Sequence, residues 1–86
     1  MGYDINRALM VAEDFVRECL RPAGHNRAIS FKEVETLFRE WKETTRATME
    51  VPRIGPVLLR RLILSVCRDA TIWGRGFVGL ERRREN

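Results

Sequence analysis

Arginine is the residue type in this sequence with the most chemistry to offer, and it is unevenly placed. Residues 1–50 carry eight Lys or Arg against nine Asp or Glu, whereas residues 51–86 carry eight Arg against three acids. A guanidinium is a planar fork of donors that pairs with a phosphate or a guanine edge through two hydrogen bonds. The second half therefore predicts a site for a polyanion such as a nucleic acid. The alternative is a solvated basic face that only maintains solubility.

Catalytic, metal and cofactor chemistry find little support. The chain has one histidine and two cysteines, without a C-x-x-C motif, which disfavours a zinc site. Cys19 and Cys67 fall at apolar positions of predicted helices, where reduced thiols pack as small hydrophobes in the core. A Cys19–His25 pair would need an exposed thiolate, and Cys19 faces the predicted core. We therefore expect no enzyme and no cofactor.

The arginines are positioned by a predicted helix that begins at Pro56. A proline in the first helical turn costs nothing, because its missing N–H would be unpaired there. At 100° per residue, Arg60 and Arg61 lie on one side of this helix. The opposite side is apolar and consists of Leu58, Leu59, Leu62, Ile63 and Val66. The pattern predicts a short helix with a buried apolar side and a basic outer face.

Two helices are predicted before this one. The first covers residues 5–20, with Asp4 as its cap, and residues 21–24 end it with a proline and a glycine. Its apolar stripe consists of Ile5, Ala8, Leu9, Ala12, Phe15, Val16, Cys19 and Leu20. Residues 27–29 are a candidate brief strand. Ser30 and Glu33 then form a capping box for a second helix to about residue 44, with an apolar stripe of Val34, Leu37, Phe38 and Trp41.

After the basic helix the apolar period changes to two residues, which is typical of strands. Residues 70–73 and 77–80 predict two short strands around a tight turn over residues 74–76, with Arg75 at the exposed tip. The polar segment 44–50 is predicted to be a loop. Its threonines serve either turn formation or contacts to a phosphate backbone, and the sequence favours neither.

The length predicts one domain over residues 1–86, with residues 1–4 and the charged end from 82 onward frayed. No apolar run approaches the roughly 20 residues of a membrane span, and no signal peptide is recognisable. We therefore expect a cytoplasmic protein without membrane contact. Because the chain opens with Met1, it is expected to be either free-standing or a domain excised from a larger protein.

The order of the predicted elements indicates a fold class. Helix, brief strand, capped helix, loop, basic helix and glycine-tipped hairpin is the order of a winged helix-turn-helix, a mostly α fold with three helices and a small β-hairpin, the wing. In such folds the third helix enters the major groove of DNA and the wing contacts the backbone. The expected partner is DNA, with duplex favoured.

Several segments also carry a family resemblance. They are residues 15–19, 29–34, 38–41, 51–56, 59–62 and 74–80. Together they resemble the C-terminal winged-helix domain of primase–helicase replication proteins from phages, plasmids and some large DNA viruses. The resemblance implies a DNA-binding module of a mobile-element replication system, with a primase or helicase protein as a second partner. The sequence contains no primase or helicase segment, so no catalytic residue carries over.

The site residues follow from these expectations. The main DNA contacts are predicted at the third helix, from Arg53, Arg60 and Arg61. Further contacts to phosphate are expected from Arg75, Arg68, Thr45, Arg46 and Ser30, the last through backbone amides at the start of the second helix.

Two alternatives use the same fold. One is a protein-interaction adaptor, since Val57 and Leu64 lie beside Arg60 and Arg61 on the outward side. The other is a small transcriptional regulator, which would dimerise on a palindromic site.

Overall fold

The computed structural model of the chain describes residues 5–45 and 51–83. Those residues form three helices, α1 (Ile5–Cys19), α2 (Phe31–Thr45) and α3 (Pro56–Val66). They also form five short strands, β1 (Leu20–Pro22), β2 (Ala28–Ser30), β3 (Thr71–Trp73), β4 (Gly76–Val78) and β5 (Leu80–Arg82). All strand pairs are antiparallel, in one sheet of order β2-β4-β3 and a separate β1-β5 pair. The predicted three helices and β-hairpin are present.

The core lies where the apolar sides of the three helices meet. The Phe15 ring of α1 packs edge-on against Phe38, with ring centroids 5.1 Å apart, and lies 5.6 Å from Trp41. All four predicted core residues of α2 are buried. Some residues at the ends of the apolar stripes predicted for α1 and α3 are less buried than expected. Ile5 is 51% exposed at the start of α1, and Leu9, Cys19, Leu58 and Val66 are only half-buried at the edge of the core.

Helix starts follow the predicted chemistry. The Ser30 hydroxyl accepts a hydrogen bond from the backbone N–H of Glu33 at 3.1 Å, which is the expected N-cap of α2. Helix α3 begins at Pro56 after an extended Gly55, as the proline predicts. The expected cap of α1, Asp4, lies outside the described residues. Local sequence signals therefore determine where α2 and α3 begin.

The β3–β4 hairpin turns through two residues, Gly74 and Arg75, because Trp73 pairs directly with Gly76. Gly74 has φ +63° and Arg75 does not have a positive φ. A positive φ at only the first central residue is the pattern of a type II′ turn, which favours glycine there. The predicted second strand is interrupted at Gly79, where φ is +92° and the chain bends from β4 into β5.

The end of the described chain corrects two predictions. Residues 21–24 were expected only to break a helix, and residues 82 and 83 to fray; residues 84–86 lie outside the described residues. Instead β1 pairs with β5, and the N–H of Arg83 donates to the carbonyl of Cys19 at 2.8 Å. The strand pair places Leu20 and Leu80 in the core, both at most 1% exposed, and Arg21 Nε donates to Glu81 Oε2 at 2.6 Å. Apolar burial and backbone pairing at Leu20 and Leu80 outweigh the charge around them.

Both cysteines were predicted to lie inside the core, but they lie at its edge. Cys19 and Cys67 are both half-buried, and no disulfide joins them. Burial raises the pKa of the Cys67 thiol, which favours its protonated form. Across residues 5–45 and 51–83, every helix is too short or too polar to cross a membrane.

Candidate nucleic-acid interface

An open groove of about 590 Å³ lies between the start of α2, the helix α3 and the tip of the β3–β4 hairpin. We call it the basic groove. Three of its lining side chains are cationic and one is acidic, so its net charge is positive. The lining residues are Ser30, Phe31, Lys32, Glu35, Arg60 and Arg75. Three of the predicted site residues, Ser30, Arg60 and Arg75, therefore lie together.

Backbone contacts fix the hairpin tip against the first turn of α2. The N–H of Phe31 donates to the carbonyl of Arg75 at 2.8 Å, and Ser30 pairs with Gly76 in the sheet. The rings of Phe31 and Phe77 pack edge to face, with centroids 5.1 Å apart. Phe77 itself is fully buried. Arg75 therefore extends from a backbone that is held in place, which lowers the entropic cost of ordering it on a ligand.

Arg60 is engaged within the fold. Its Nη2 donates to Glu35 Oε2 at 3.0 Å, and its guanidinium carbon lies 4.2 Å from the centroid of the Phe31 ring. The Nε atom is covered by protein and has no hydrogen-bond partner among the described residues. A carboxylate thus neutralises Arg60 and an aromatic ring covers one face of its guanidinium, while its role as a main DNA contact stays a prediction. The residue joins α3 to α2.

We predict that the two adjacent arginines affect stability differently. Arg60→Ala removes an ion pair and a cation–π contact, which together contribute about 1–2 kcal/mol at a partly exposed site. Arg61→Ala changes an exposed side chain and should change the free energy of unfolding by less than about 0.5 kcal/mol. Urea denaturation followed by circular dichroism compares the two. Equal losses in both variants would contradict the structural role of Arg60.

At the start of α2, two of the backbone amides that could meet a phosphate are already hydrogen-bonded within the protein. The N–H of Phe31 is bonded to Arg75 and that of Glu33 to the Ser30 hydroxyl. Ser30 therefore acts as a helix cap, and its role in presenting amides to a phosphate stays a prediction. Side-chain donors on the rim of the basic groove, Lys32 and Arg75, are better placed to meet an anion.

The remaining predicted contacts are dispersed. Arg61 is exposed on the outward side of α3. Arg53 is also exposed but precedes the helix, so its predicted position on α3 is wrong. Arg68 lies beyond the other end of α3, beside a separate cavity of about 420 Å³ with a mostly apolar lining. Thr45 is the last residue of α2 and not part of a loop, and Arg46 lies outside the described residues.

Sequence reasoning missed three residues of the basic groove: Phe31, Lys32 and Glu35. Lys32 carried a usable signal, because a cation in the first turn of a helix faces the positive end of the helix dipole and is disfavoured there. Phe31, at the first position of α2, was not part of the predicted apolar stripe. Glu35 gave no signal in the sequence, because it occupies an ordinary position on the polar face of a predicted helix. Its pairing with Arg60 depends on how α2 and α3 approach each other.

The lining of the basic groove carries a net positive charge, which can attract an anion. Among residues 5–45 and 51–83, no group of three or more His, Cys, Asp or Glu side chains is arranged to hold a metal ion. Comparison with protein families, with curated proteins and with solved structures finds no match to this chain. Inference about its function therefore depends on its own residues.

Proposed function

We propose that this chain is a winged-helix DNA-binding module that acts in the cytoplasm. Helix α3 would enter the major groove of duplex DNA, and the β3–β4 hairpin would serve as the wing on the phosphate backbone. The element order and the basic second half of the chain support this reading. The hydrogen bond between the hairpin tip and the first turn of α2 also supports the proposal, because this contact orders the residues that would bind phosphate.

The observation that carries the proposal is that Lys32 and Arg75 both line the basic groove. The two cations come from different elements, and the Phe31–Arg75 backbone hydrogen bond holds those elements together. Exposed cations that line one groove raise the local positive potential, which favours an anionic ligand there. A phosphate oxygen accepts hydrogen bonds from both.

The outward side of α3 supports a role in base contact. Arg61 is exposed there, Val57 is 63% exposed and Leu64 is half-buried. In the major groove an arginine pairs with guanine, and small apolar side chains contact the methyl group of thymine. This side of α3 therefore combines one cation for guanine or phosphate with apolar groups for a base edge.

A role in mobile-element replication is a further part of the proposal, and it rests on the family resemblance of the sequence segments. In that setting the module would bring a primase or helicase protein to an origin or template. Pull-down of a phage or plasmid primase–helicase with the full chain tests this part separately from DNA binding. A chain that binds DNA but no such protein would leave only the DNA-binding role.

The proposal is tested by mapping the binding surface. Amide shifts in a ¹⁵N-labelled protein are followed while a random duplex of about 15 base pairs is added at about 50 mM salt. We expect the largest shifts at Lys32, Arg61, Gly74 and Arg75. Shifts confined to the outer face of α1, or no shifts at all, would contradict the proposal.

A protein-interaction adaptor is the second candidate, and the exposure of Val57 favours it. Val57 and Leu64 lie beside Arg61 on a side of α3 that no other described element covers fully. An adaptor would use these residues to bind an acidic partner and would ignore the duplex. Anisotropy with a labelled duplex separates the two, because a DNA-binding module should bind it at about 50 mM salt and an adaptor should not.

A further inference from the structure

One side chain of the hairpin is exposed to a degree that packing does not explain. Trp73, the last residue of β3, is 81% exposed, although tryptophan is among the side chains with the most apolar area to bury. The chain contains two tryptophans, and the other, Trp41, is only 8% exposed in the core. Trp73 pairs across the hairpin with Gly76, which has no side chain to pack against its ring. Its ring therefore has a face available for a ligand.

The surroundings of Trp73 indicate what that ligand is. Gly76 pairs with Trp73 on one side and Ser30 on the other, so the three positions share one face of the sheet. Ser30 lines the basic groove, and two strand spacings place Trp73 roughly 10 Å from it. Arg75 follows two residues after Trp73 and is the one charged residue within residues 71–78. An exposed ring on the sheet face that leads to the basic groove matches a flat group that carries a phosphate.

We propose that Trp73 stacks on an unpaired nucleobase while Arg75 and Lys32 bind the adjacent phosphates. The site would then take a junction between duplex and single strand, with α3 on the duplex and the hairpin tip on the first unpaired base. Aromatic rings bind single strands in this way with little sequence preference, because every base has a π-face. A tip of a few residues is much smaller than the roughly 800 Å² per partner of a stable protein interface. This inference rests on the proposed DNA-binding function.

The test uses duplexes with a short oligo(dT) overhang on either strand, and matched duplexes whose overhang is abasic. Both carry the same phosphates, so only base stacking distinguishes them. Wild-type protein should bind the better oligo(dT) substrate about tenfold more tightly than its abasic match. Trp73→Ala should remove that preference, and Trp73→Phe should keep most of it. Ile72→Ala, a neighbouring residue that is 46% exposed, serves as the matched control and should behave as wild type.

Intrinsic fluorescence gives an independent readout. Because Trp41 is buried, quenching by the oligo(dT) overhang should come from Trp73 and should be absent in Trp73→Phe. The inference is overturned if Trp73→Ala keeps the wild-type affinities for both the oligo(dT) and the abasic overhang. If loss of Arg61 and Arg75 still weakens binding in that case, the DNA-binding function is retained. If wild-type protein binds none of the duplexes at about 50 mM salt, the proposed function fails with it. The inference is also overturned if the wild-type protein self-associates and Trp73→Ala loses this self-association while its DNA binding is unchanged. The ring would then belong to a contact between protein molecules.

Discussion

Replacing Gly76 with alanine is expected to lower the free energy of unfolding by about 2–3 kcal/mol. A Cβ at this position would lie 2.6 Å from the backbone oxygen of Ile29 and 3.2 Å from the Cα of Ser30. Both atoms belong to the backbone of β2, which pairs with β4 at this point, so neither can rotate away. The loss is a large share of the roughly 5–15 kcal/mol that stabilises a typical domain.

The same substitution should loosen the hairpin from the first turn of α2. Gly76 lies between Arg75, which accepts the hydrogen bond from Phe31, and Phe77, which is fully buried. Pushing β4 away from β2 would disturb both contacts. Thermal denaturation should show a midpoint lowered by roughly 10–20 °C for a domain of this size.

Gly24→Ala is the matched control for this prediction. A Cβ there would meet Asn26 Oδ1 at 3.0 Å, which is the end of an exposed side chain that can rotate. We expect a change of less than about 0.5 kcal/mol. Equal destabilisation by the two substitutions would contradict the close packing of β4 on β2.

The second large effect is expected on DNA binding. Arg61→Ala combined with Arg75→Ala should weaken binding of a random duplex by about 100-fold near 50 mM salt, because each arginine contributes a charge-assisted hydrogen bond to phosphate. The two residues lie on different elements, α3 and the hairpin tip, so both contacts of the proposed interface are removed at once. Both are exposed, so the fold should be retained. Fluorescence anisotropy with a labelled duplex measures the loss.

Arg27→Ala combined with Arg82→Ala removes two positive charges from exposed positions outside α3 and the hairpin tip. If binding depends on the location of the arginines, this control should lose less than about threefold in affinity. Comparable losses in the two double variants would indicate that net charge alone drives association. The specific interface would then be rejected.

Local signals in the sequence predicted the helices and the hairpin well. Pro56, Ser30 and Gly74 act through their own backbone or the next few residues, so their effects are readable without a fold. The β1–β5 pair was missed because it joins residues 58 to 62 positions apart, and because each strand is short and flanked by charge. A three-residue strand carries too little periodicity to be distinguished from a turn.

The candidate site was only partly predictable for a similar reason. Arg60 and Arg61 are neighbours in the sequence and look equivalent on a helical wheel. Their surroundings differ because Glu35 and Phe31, which lie on another helix, are close to Arg60. A position on the outer face of a helix gives no indication of which neighbour approaches it. Arg75 was readable from the tight turn alone. Lys32 carried a signal as a cation in the first turn of α2, but its place beside Arg75 in the basic groove required the packing of the hairpin on α2.

The most direct test of DNA binding is the salt dependence of affinity for the wild-type chain. Anisotropy titrations of a random duplex and its matching single strand, between about 50 and 200 mM salt, give the slope of log K against log salt concentration. About four to six phosphate contacts predict a slope of about −4 to −5 for the duplex. A slope near zero, or no binding at the lower salt concentration, would contradict the central claim.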